Sequence, residues 1–255
     1  MRKGPNKPSI IGLFVPFADA VKLMVKENNS PSAGHHFVRL ASPFFYLFVA
    51  FIFWCLNPCE EEKKYGVLIF LCISSVGVFA LLFCGWGRNR KYSFMGAVRS
   101  VAQSVSYEVI LSIICLHFVI FYYFLLNSKL FSLIWIFYVL LLFFLSCLAE
   151  TNRSPFDFSE GESELVRGFN TEYRSVPFIM IFLAEYCSIV FMSLIIRLLF
   201  CMTCMLDLYV FFMLWASVFV WCRGTLPRLR YDQLIYLCWK SLLPVVLGRL
   251  LLVMQ

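Results

Sequence analysis

The feature that most constrains this chain is a stretch of twenty residues, 130–149, that contains no charged side chain. As an α-helix this stretch would be roughly 30 Å long, about the thickness of the hydrocarbon core of a bilayer. Hydrophobic residues make up 61% of the 255 positions and charged residues only 15%, which lies well outside the usual composition of a soluble domain. No segment shows the alternating polarity of a membrane β-strand. The sequence therefore predicts an all-α, polytopic membrane protein rather than a soluble enzyme.

Apolar stretches of this kind recur along the chain and predict a bundle of about seven transmembrane helices. They cover residues 41–56, 66–86, 101–126, 130–149, 177–200, 205–221 and 234–253. The last stretch is the weakest, because Lys240, Pro244 and Arg249 interrupt it. No internal repeat is visible, and no soluble domain fits between the stretches, so we expect a single membrane domain over residues 1–255.

The basic residues predict how the bundle is oriented. With seven spans, the N-terminal segment and the loops 87–99, 150–174 and 222–233 face the same side of the membrane. That side carries 16 of the 22 lysines and arginines: Arg2, Lys3, Lys7, Lys22, Lys26, Arg39, Arg88, Arg90, Lys91, Arg99, Arg153, Arg167, Arg174, Arg223, Arg228 and Arg230. The opposite loops contain only Lys63, Lys64 and Lys129. By the positive-inside rule, the first side is the cytoplasm, or the matrix of an organelle.

The segment before the first span has the pattern of an amphipathic helix lying in the membrane interface. Its apolar residues recur at steps of three and four and are Ile10, Phe14, Phe17, Val21 and Met24. Its charged residues lie on another face and are Asp19, Lys22 and Lys26. Pro16 would kink this helix or restart it. A simple membrane anchor would show the same periodicity.

Three carboxylates, Glu108, Glu150 and Glu185, fall within or at the end of predicted spans. An ionised side chain at the bilayer centre costs on the order of 3 kcal/mol or more. Each acid could be structural, paired with a neighbouring Arg or Lys. Acids on three different spans also fit a proton path, because carboxyls facing a bundle interior can load and release protons near neutral pH. No nucleophile triad, phosphate loop or metal-binding pattern is present, so we expect no catalytic residue and no metal site on this chain alone.

The densest polar stretch follows residue 149 and contains Glu160, Glu162 and Glu164. Their spacing crowds like charges in a strand, and Glu160 and Glu164 would also share a face of a helix. Crowded carboxylates hold some protons above their usual range and titrate as a coupled set. A solvated acidic loop is the simpler interpretation, but the many flanking aromatic residues are unusual for a free loop.

Six ordered motifs resemble the NADH dehydrogenase subunit 1 family, the quinone-site membrane subunit of respiratory complex I. The longest spans residues 149–173 and reads AETNRSPFDFSEGESELVRGFNTEY. The others are RKGPNK at 2–7, PFADAVKL at 16–23, GAVRSVAQ at 96–103 followed by SYE at 106–108, AEY at 184–186 and PRLRYDQL at 227–234. The resemblance covers nearly the whole chain.

The resemblance implies a function that the residue pattern alone could not provide. It implies that a ubiquinone cavity is surrounded by Asp19, Glu27, Arg99, Arg153, Asp157, Arg228 and Arg230. It implies that the acids of a path coupling quinone reduction to proton translocation are Glu108, Glu150, Glu160, Glu162, Glu164 and Glu185. Ubiquinone would be the substrate, and FMN and iron–sulfur clusters would be held by partner subunits, because this chain has no ligand set for either.

The same resemblance implies partners and a location. The partners would be the other membrane and peripheral-arm subunits of complex I together with ubiquinone and lipids, and no nucleic acid. The location would be the mitochondrial inner membrane, with the large polar loops on the matrix side.

Family members have a further N-terminal helix before the RKGPNK motif, so we expect a separate polypeptide or an upstream segment to supply it. Arg167 and Arg174 replace the small residues usual at their positions in the family. A stand-alone proton-coupled transporter and the membrane anchor of an energy-converting hydrogenase remain the alternatives.

Overall fold

The structure, a computed structural model, describes residues 12–27, 35–55, 65–125, 133–157, 168–171, 173–200 and 205–254. These residues contain helices and no β-strand. The α-helices are α1 Val15–Val25, α2 His36–Cys55, α3 Gly66–Trp86, α4 Lys91–Leu125, α5 Leu133–Glu150, α6 Ser175–Phe200, α7 Met205–Thr225, α8 Tyr231–Tyr236 and α9 Leu243–Met254. A 3₁₀ turn, Gly168–Asn170, precedes α6, and a π-helical segment, Leu237–Leu242, joins α8 to α9.

The predicted membrane-spanning bundle is confirmed. Within the described residues, five helices are long and apolar enough to cross a membrane: His36–Cys55, Gly66–Trp86, Lys91–Ile120, Ser175–Leu199 and Tyr231–Leu251. Two shorter apolar helices, Phe137–Glu150 and Val210–Thr225, coincide with the remaining two predicted spans. Each of the seven apolar stretches read from the sequence therefore corresponds to a helix.

The longest helix, α4, is the centre of the bundle. It packs against α3, α5 and α9, and Tyr107, Ile110 and Leu111 on it are fully buried. It starts ten residues before the predicted span, because its first turns pack tightly despite their charges. A Cβ added at Gly85 of α3 would lie only 2.2 Å from the Cβ of Ala97. Small residues thus let α3 and the polar end of α4 approach closely.

The predicted amphipathic helix is present as α1, which packs against α6. Pro16 lies in its first turn, where a proline starts a helix without losing a hydrogen bond. Phe17, Val21 and Met24, which the sequence pattern places on one apolar face, are all exposed. Because this face is turned away from the bundle, it suits a helix that lies in the membrane interface. Ile10 lies outside the described residues.

Candidate functional site

A large groove separates α1 from α6. Its volume is about 800 Å³, within the usual range of a small-molecule pocket. Asp19 of α1 is the one carboxylate among its described lining residues, and Trp54 of α2 forms part of its wall. The remaining lining residues are mostly apolar and are Pro16, Ala20, Leu23, Phe178, Ile179, Phe182, Leu183, Tyr186, Cys187 and Val190. The groove therefore suits a long apolar ligand with a small polar part.

A buried ion pair lies behind the wall of this groove. The Arg153 guanidinium pairs with the Glu185 carboxylate, and the two side chains are only 7% and 5% exposed. The guanidinium carbon also lies 5.4 Å from the ring centroid of Phe182 and 5.1 Å from that of Tyr186. Because both rings line the groove, a change in charge or shape there acts directly on the pair.

Two backbone attachments hold the segment that carries Arg153. The Gln103 side chain, itself fully buried, donates from Nε2 to the Ala149 carbonyl at 2.8 Å and to the Phe156 carbonyl at 3.0 Å. The Leu229 amide donates to the Pro155 carbonyl at 3.1 Å. These bonds tie the end of α5 to α4 and to the chain that leads into α8, so Arg153 projects from a fixed backbone.

A small cavity lies inside the bundle, on the other side of α6 from the groove. Its volume is about 50 Å³, and a polar cavity of this size holds at least one water molecule. Its polar lining residues are Tyr46, Ser74, Ser104, Glu150, Thr151 and Ser188. Glu150 Oε2 is buried and has no hydrogen-bond partner among the described residues. An unsatisfied carboxylate oxygen at a polar cavity is the position where an ordered water binds.

The structure brings the three predicted membrane acids together. Ser74 Oγ donates to Glu108 Oε1 at 3.4 Å while it also lines the cavity beside Glu150. Ser188, which lines the same cavity, donates from its hydroxyl to the Glu185 carbonyl at 2.7 Å. The cavity is therefore lined by Glu150, by the serine that binds Glu108 and by the serine that binds the Glu185 backbone.

The other predicted site residues lie elsewhere. Asp157, Arg99 and Arg228 are half-buried, and the Arg99 guanidinium carbon lies 5.9 Å from the centroid of the Tyr231 ring. Arg230 is exposed and pairs with Asp232 at 3.3 Å, and Glu27 is exposed beyond the end of α1. Arg99, Asp157, Arg228, Arg230 and Glu27 are not among the residues that line the groove. Glu160, Glu162, Glu164 and Arg167 lie outside the described residues.

The segment before α6 is anchored by an aromatic and cationic contact. The Arg88 guanidinium carbon lies 3.7 Å from the centroid of the Tyr173 ring. The Tyr173 hydroxyl donates to the Cys84 carbonyl at 3.0 Å and lies 3.2 Å from Ser42 Oγ. Burial raises the pKa of Tyr173 to about 12, so the hydroxyl remains a donor at neutral pH. This contact fixes the start of α6, and α6 positions Glu185.

Sequence reasoning missed the uncharged polar members of the site. Tyr46, Gln103 and Ser74 carry no charge, so a search for charged residues within the predicted spans passes over them. Gln103 and Ser74 are polar residues within spans, which is the signal that could have singled them out. Nothing in the local sequence indicates that Tyr46 and Glu150 line one cavity, since they lie on different helices.

Comparison with known proteins identifies the chain's relatives. The chain is 45% identical to NADH-ubiquinone oxidoreductase chain 1 of Aedes aegypti over 262 residues, an alignment that covers 98% of this chain and 84% of the relative. The corresponding proteins of Anopheles gambiae and Locusta migratoria are 46% and 45% identical, and each is covered over 83% of its length. The family model described as NADH dehydrogenase matches residues 1–254, and the chain therefore belongs to the NADH dehydrogenase family.

Proposed function

We propose that this chain is the chain 1 membrane subunit of NADH:ubiquinone oxidoreductase, respiratory complex I. The names of its relatives support the assignment. The observation that carries it is the buried Arg153–Glu185 pair, which contacts the wall of a large apolar groove and adjoins a chain of further acids. In the overall reaction NADH gives up two electrons, which pass through FMN and iron–sulfur clusters on partner subunits. Ubiquinone takes up these electrons and two protons to become ubiquinol.

The groove between α1 and α6 is the proposed wall of the ubiquinone cavity. Its apolar lining suits an isoprenoid tail, and Asp19 and the nearby Arg153 provide polar groups that orient the quinone ring. Glu27, Arg99, Asp157, Arg228 and Arg230 are proposed to complete the cavity toward the peripheral arm. Their positions outside the groove suit residues that a partner subunit covers.

The acid cluster is the proposed start of the proton path. A quinone that takes up two electrons also takes up two protons, and this uptake would occur beside Arg153 and Glu185. Carboxyl, hydroxyl and water groups both donate and accept hydrogen bonds, so the proposed relay runs from Glu185 through water in the cavity to Glu150 and continues through Ser74 to Glu108. Glu160, Glu162 and Glu164 are proposed to feed this relay from the loop.

The proposed location is the mitochondrial inner membrane, with residues 1–255 forming one domain and the loop 150–174 on the matrix side. The distribution of basic residues supports this orientation, with 16 on one side and three on the other. We also propose that a separate hydrophobic polypeptide packs beside α1 and α2. The outer face of α2 supports it, because Phe37, Phe44, Phe48 and Phe51 there are exposed. The remaining proposed partners are the other membrane and peripheral-arm subunits, ubiquinone and lipids.

A photoreactive ubiquinone analogue tests the proposal. We expect the purified complex to contain flavin and iron–sulfur clusters, to reduce ubiquinone with NADH, and to incorporate the label into peptides covering residues 16–23 and 178–190. Excess unmodified ubiquinone should prevent labelling of both peptides. Labelling confined to other parts of the chain would refute the groove as the quinone cavity. A preparation without flavin, iron–sulfur clusters or inhibitor-sensitive NADH:ubiquinone activity would instead favour a stand-alone transporter.

A further inference from the structure

Lys240 is a cation in the interior of the last membrane-spanning helix. It follows Tyr231, the first residue of the span Tyr231–Leu251, by roughly 14 Å along the helix axis. A contact with α4 provides a second measure of its depth, since the Cys238 thiol donates to the Ser106 carbonyl at 3.4 Å. Lys240 lies two residues beyond Cys238, and Glu108 lies two residues beyond Ser106 on α4. Lys240 therefore lies at the level of the buried acids, far from either membrane surface.

The side of the helix that carries Lys240 faces away from the bundle. The inward side packs against α4, and its buried residues follow each other at intervals of four: Leu234, Cys238, Leu242 and Val246. The π-helical segment Leu237–Leu242 has more than four residues per turn, which keeps residues four apart in line through this part of the helix. The outward side keeps the same interval, and its exposed residues are Tyr236, Lys240, Pro244 and Gly248.

Nothing in the described part of the chain neutralises Lys240. Its ammonium nitrogen lies 4.3 Å from the centroid of the Tyr236 ring, and no described carboxylate is within ion-pair distance. A ring face compensates part of a positive charge but not all of it. A charged side chain at this depth in hydrocarbon is costly and normally faces the protein interior or a partner group. Among the residues that the structure describes, Lys240 faces neither.

We infer that the outward face of the last helix, defined by Tyr236, Lys240, Pro244 and Gly248, binds a transmembrane helix of another subunit that carries an Asp or Glu at the same depth. The inference rests on the proposed function only insofar as a multi-subunit membrane complex supplies that helix. A carboxylate is the group that complements an unpaired ammonium in a medium of low dielectric constant.

The shape of this face suits a close helix contact. A Cβ built at Gly248 would meet no atom within 4 Å, so the surface there is open. A glycine on an outward face allows a neighbouring backbone to approach closely, as small residues do between membrane helices. A lipid phosphate fits less well, because the headgroups lie about 15 Å from the bilayer centre, and a lysine side chain extends only part of that distance.

Cross-linking of the purified complex tests the inference. Dicyclohexylcarbodiimide enters membranes and activates a carboxyl group, and a nearby lysine amine then displaces the urea and forms an amide bond. We expect mass spectrometry to find a peptide containing Lys240 joined through this amide to an Asp or Glu of a different chain. Lys240→Arg should abolish the cross-link but keep the wild-type yield of complex, because the positive charge remains.

Lys240→Met should lower the yield of assembled complex several-fold, whereas Lys91→Met, which changes an exposed lysine at the start of α4, should not. The inference is overturned if Lys240 is cross-linked to no other chain and Lys240→Met assembles at the wild-type level. Attachment of Lys240 to a phospholipid that carries an amine-reactive headgroup would likewise overturn it in favour of lipid. An active complex with neither the cross-link nor an assembly defect in Lys240→Met would contradict only this inference, whereas a cross-linked complex without flavin or NADH:ubiquinone activity would contradict only the proposed function.

Discussion

Replacing Glu185 by Gln separates a structural role of the buried ion pair from a role in proton transfer. Glutamine keeps the shape and hydrogen-bonding capacity of the side chain but removes the charge and the exchangeable proton. Arg153 is then left with its positive charge in a position where only 7% of its side chain is exposed. Because arginine stays protonated in proteins, the loss of this charge partner should cost about 3–5 kcal/mol. The contacts with the Phe182 and Tyr186 rings are present before and after the change, so they do not reduce this cost.

The reverse substitution should be milder. Arg153→Gln leaves Glu185 without its partner, but a carboxylate can take up a proton and become neutral, whereas a guanidinium cannot lose one. We therefore expect Glu185→Gln to lower the yield and thermal stability of the complex more than Arg153→Gln. Asp232→Asn provides a control, because it breaks an exposed pair with Arg230 and should cost at most about 1 kcal/mol.

The double variant Arg153→Gln, Glu185→Gln decides between the two roles. It removes both charges of the pair, so assembly should recover relative to Glu185→Gln in either case. If Glu185 transfers protons, NADH:ubiquinone turnover and proton pumping in the recovered complex should fall below those of Arg153→Gln, which lacks the same arginine. NADH oxidation by a soluble acceptor should continue, because that reaction takes place in the peripheral arm. Wild-type quinone turnover and pumping in the double variant would remove Glu185 from the path and leave a purely structural pair.

Two further predictions concern the contacts that hold α6 in place. Gly96→Ala should loosen the 168–171 turn and cost about 1–3 kcal/mol, because the new Cβ would lie 2.9 Å from the Gly168 Cα and backbone atoms cannot easily move aside. Limited proteolysis should detect the loosened turn. Gly77→Ala is the control and should behave as wild type, because its new Cβ would make only an ordinary 3.9 Å contact. Tyr173→Phe should cost about 1 kcal/mol through loss of the hydrogen bond to the Cys84 carbonyl. In the wild type, protease resistance should be constant below pH 10.0 and fall as the pH rises to about 12, because the folded state holds the Tyr173 phenol proton more tightly than the unfolded state. The phenylalanine variant should show a smaller alkaline loss, and an identical loss in the variant would show that Tyr173 is not its cause.

Much of the fold follows from hydropathy, because each span is long enough to be recognised on its own. The predicted span 66–86 coincides with α3, Gly66–Trp86. The prediction was less accurate at α4, which begins at Lys91 rather than near 101, since hydropathy stops at the charged residues while the helix continues as far as its packing allows. The last span was underrated for the same reason. Lys240, Pro244 and Arg249 weaken its hydropathy, but none of the three belongs to the buried side, which is formed by Leu234, Cys238, Leu242 and Val246.

The site was only partly accessible from the sequence. Buried acids can be recognised because a charge inside a span is costly, and Glu108, Glu150 and Glu185 were found in this way. Sequence reasoning left open whether they are structural pairs or parts of a proton path; in the structure Glu185 pairs with Arg153, and Glu150 lines a cavity together with Ser74, which binds Glu108. The groove could not be predicted from local patterns, because its walls come from three helices that are far apart in sequence.

Helix α6 lines both the groove and the cavity. On one side of this helix Phe182 and Tyr186 line the groove, and on the other Ala184 and Ser188 line the cavity. The segment at the end of α5 has the same double connection, since Glu150 lines the cavity and Arg153, three residues later, contacts the groove rings. The Arg153–Glu185 pair joins these two shared elements. A ligand that displaces the rings of the groove would therefore act first on the Arg153 side chain, which lies on the same segment as Glu150.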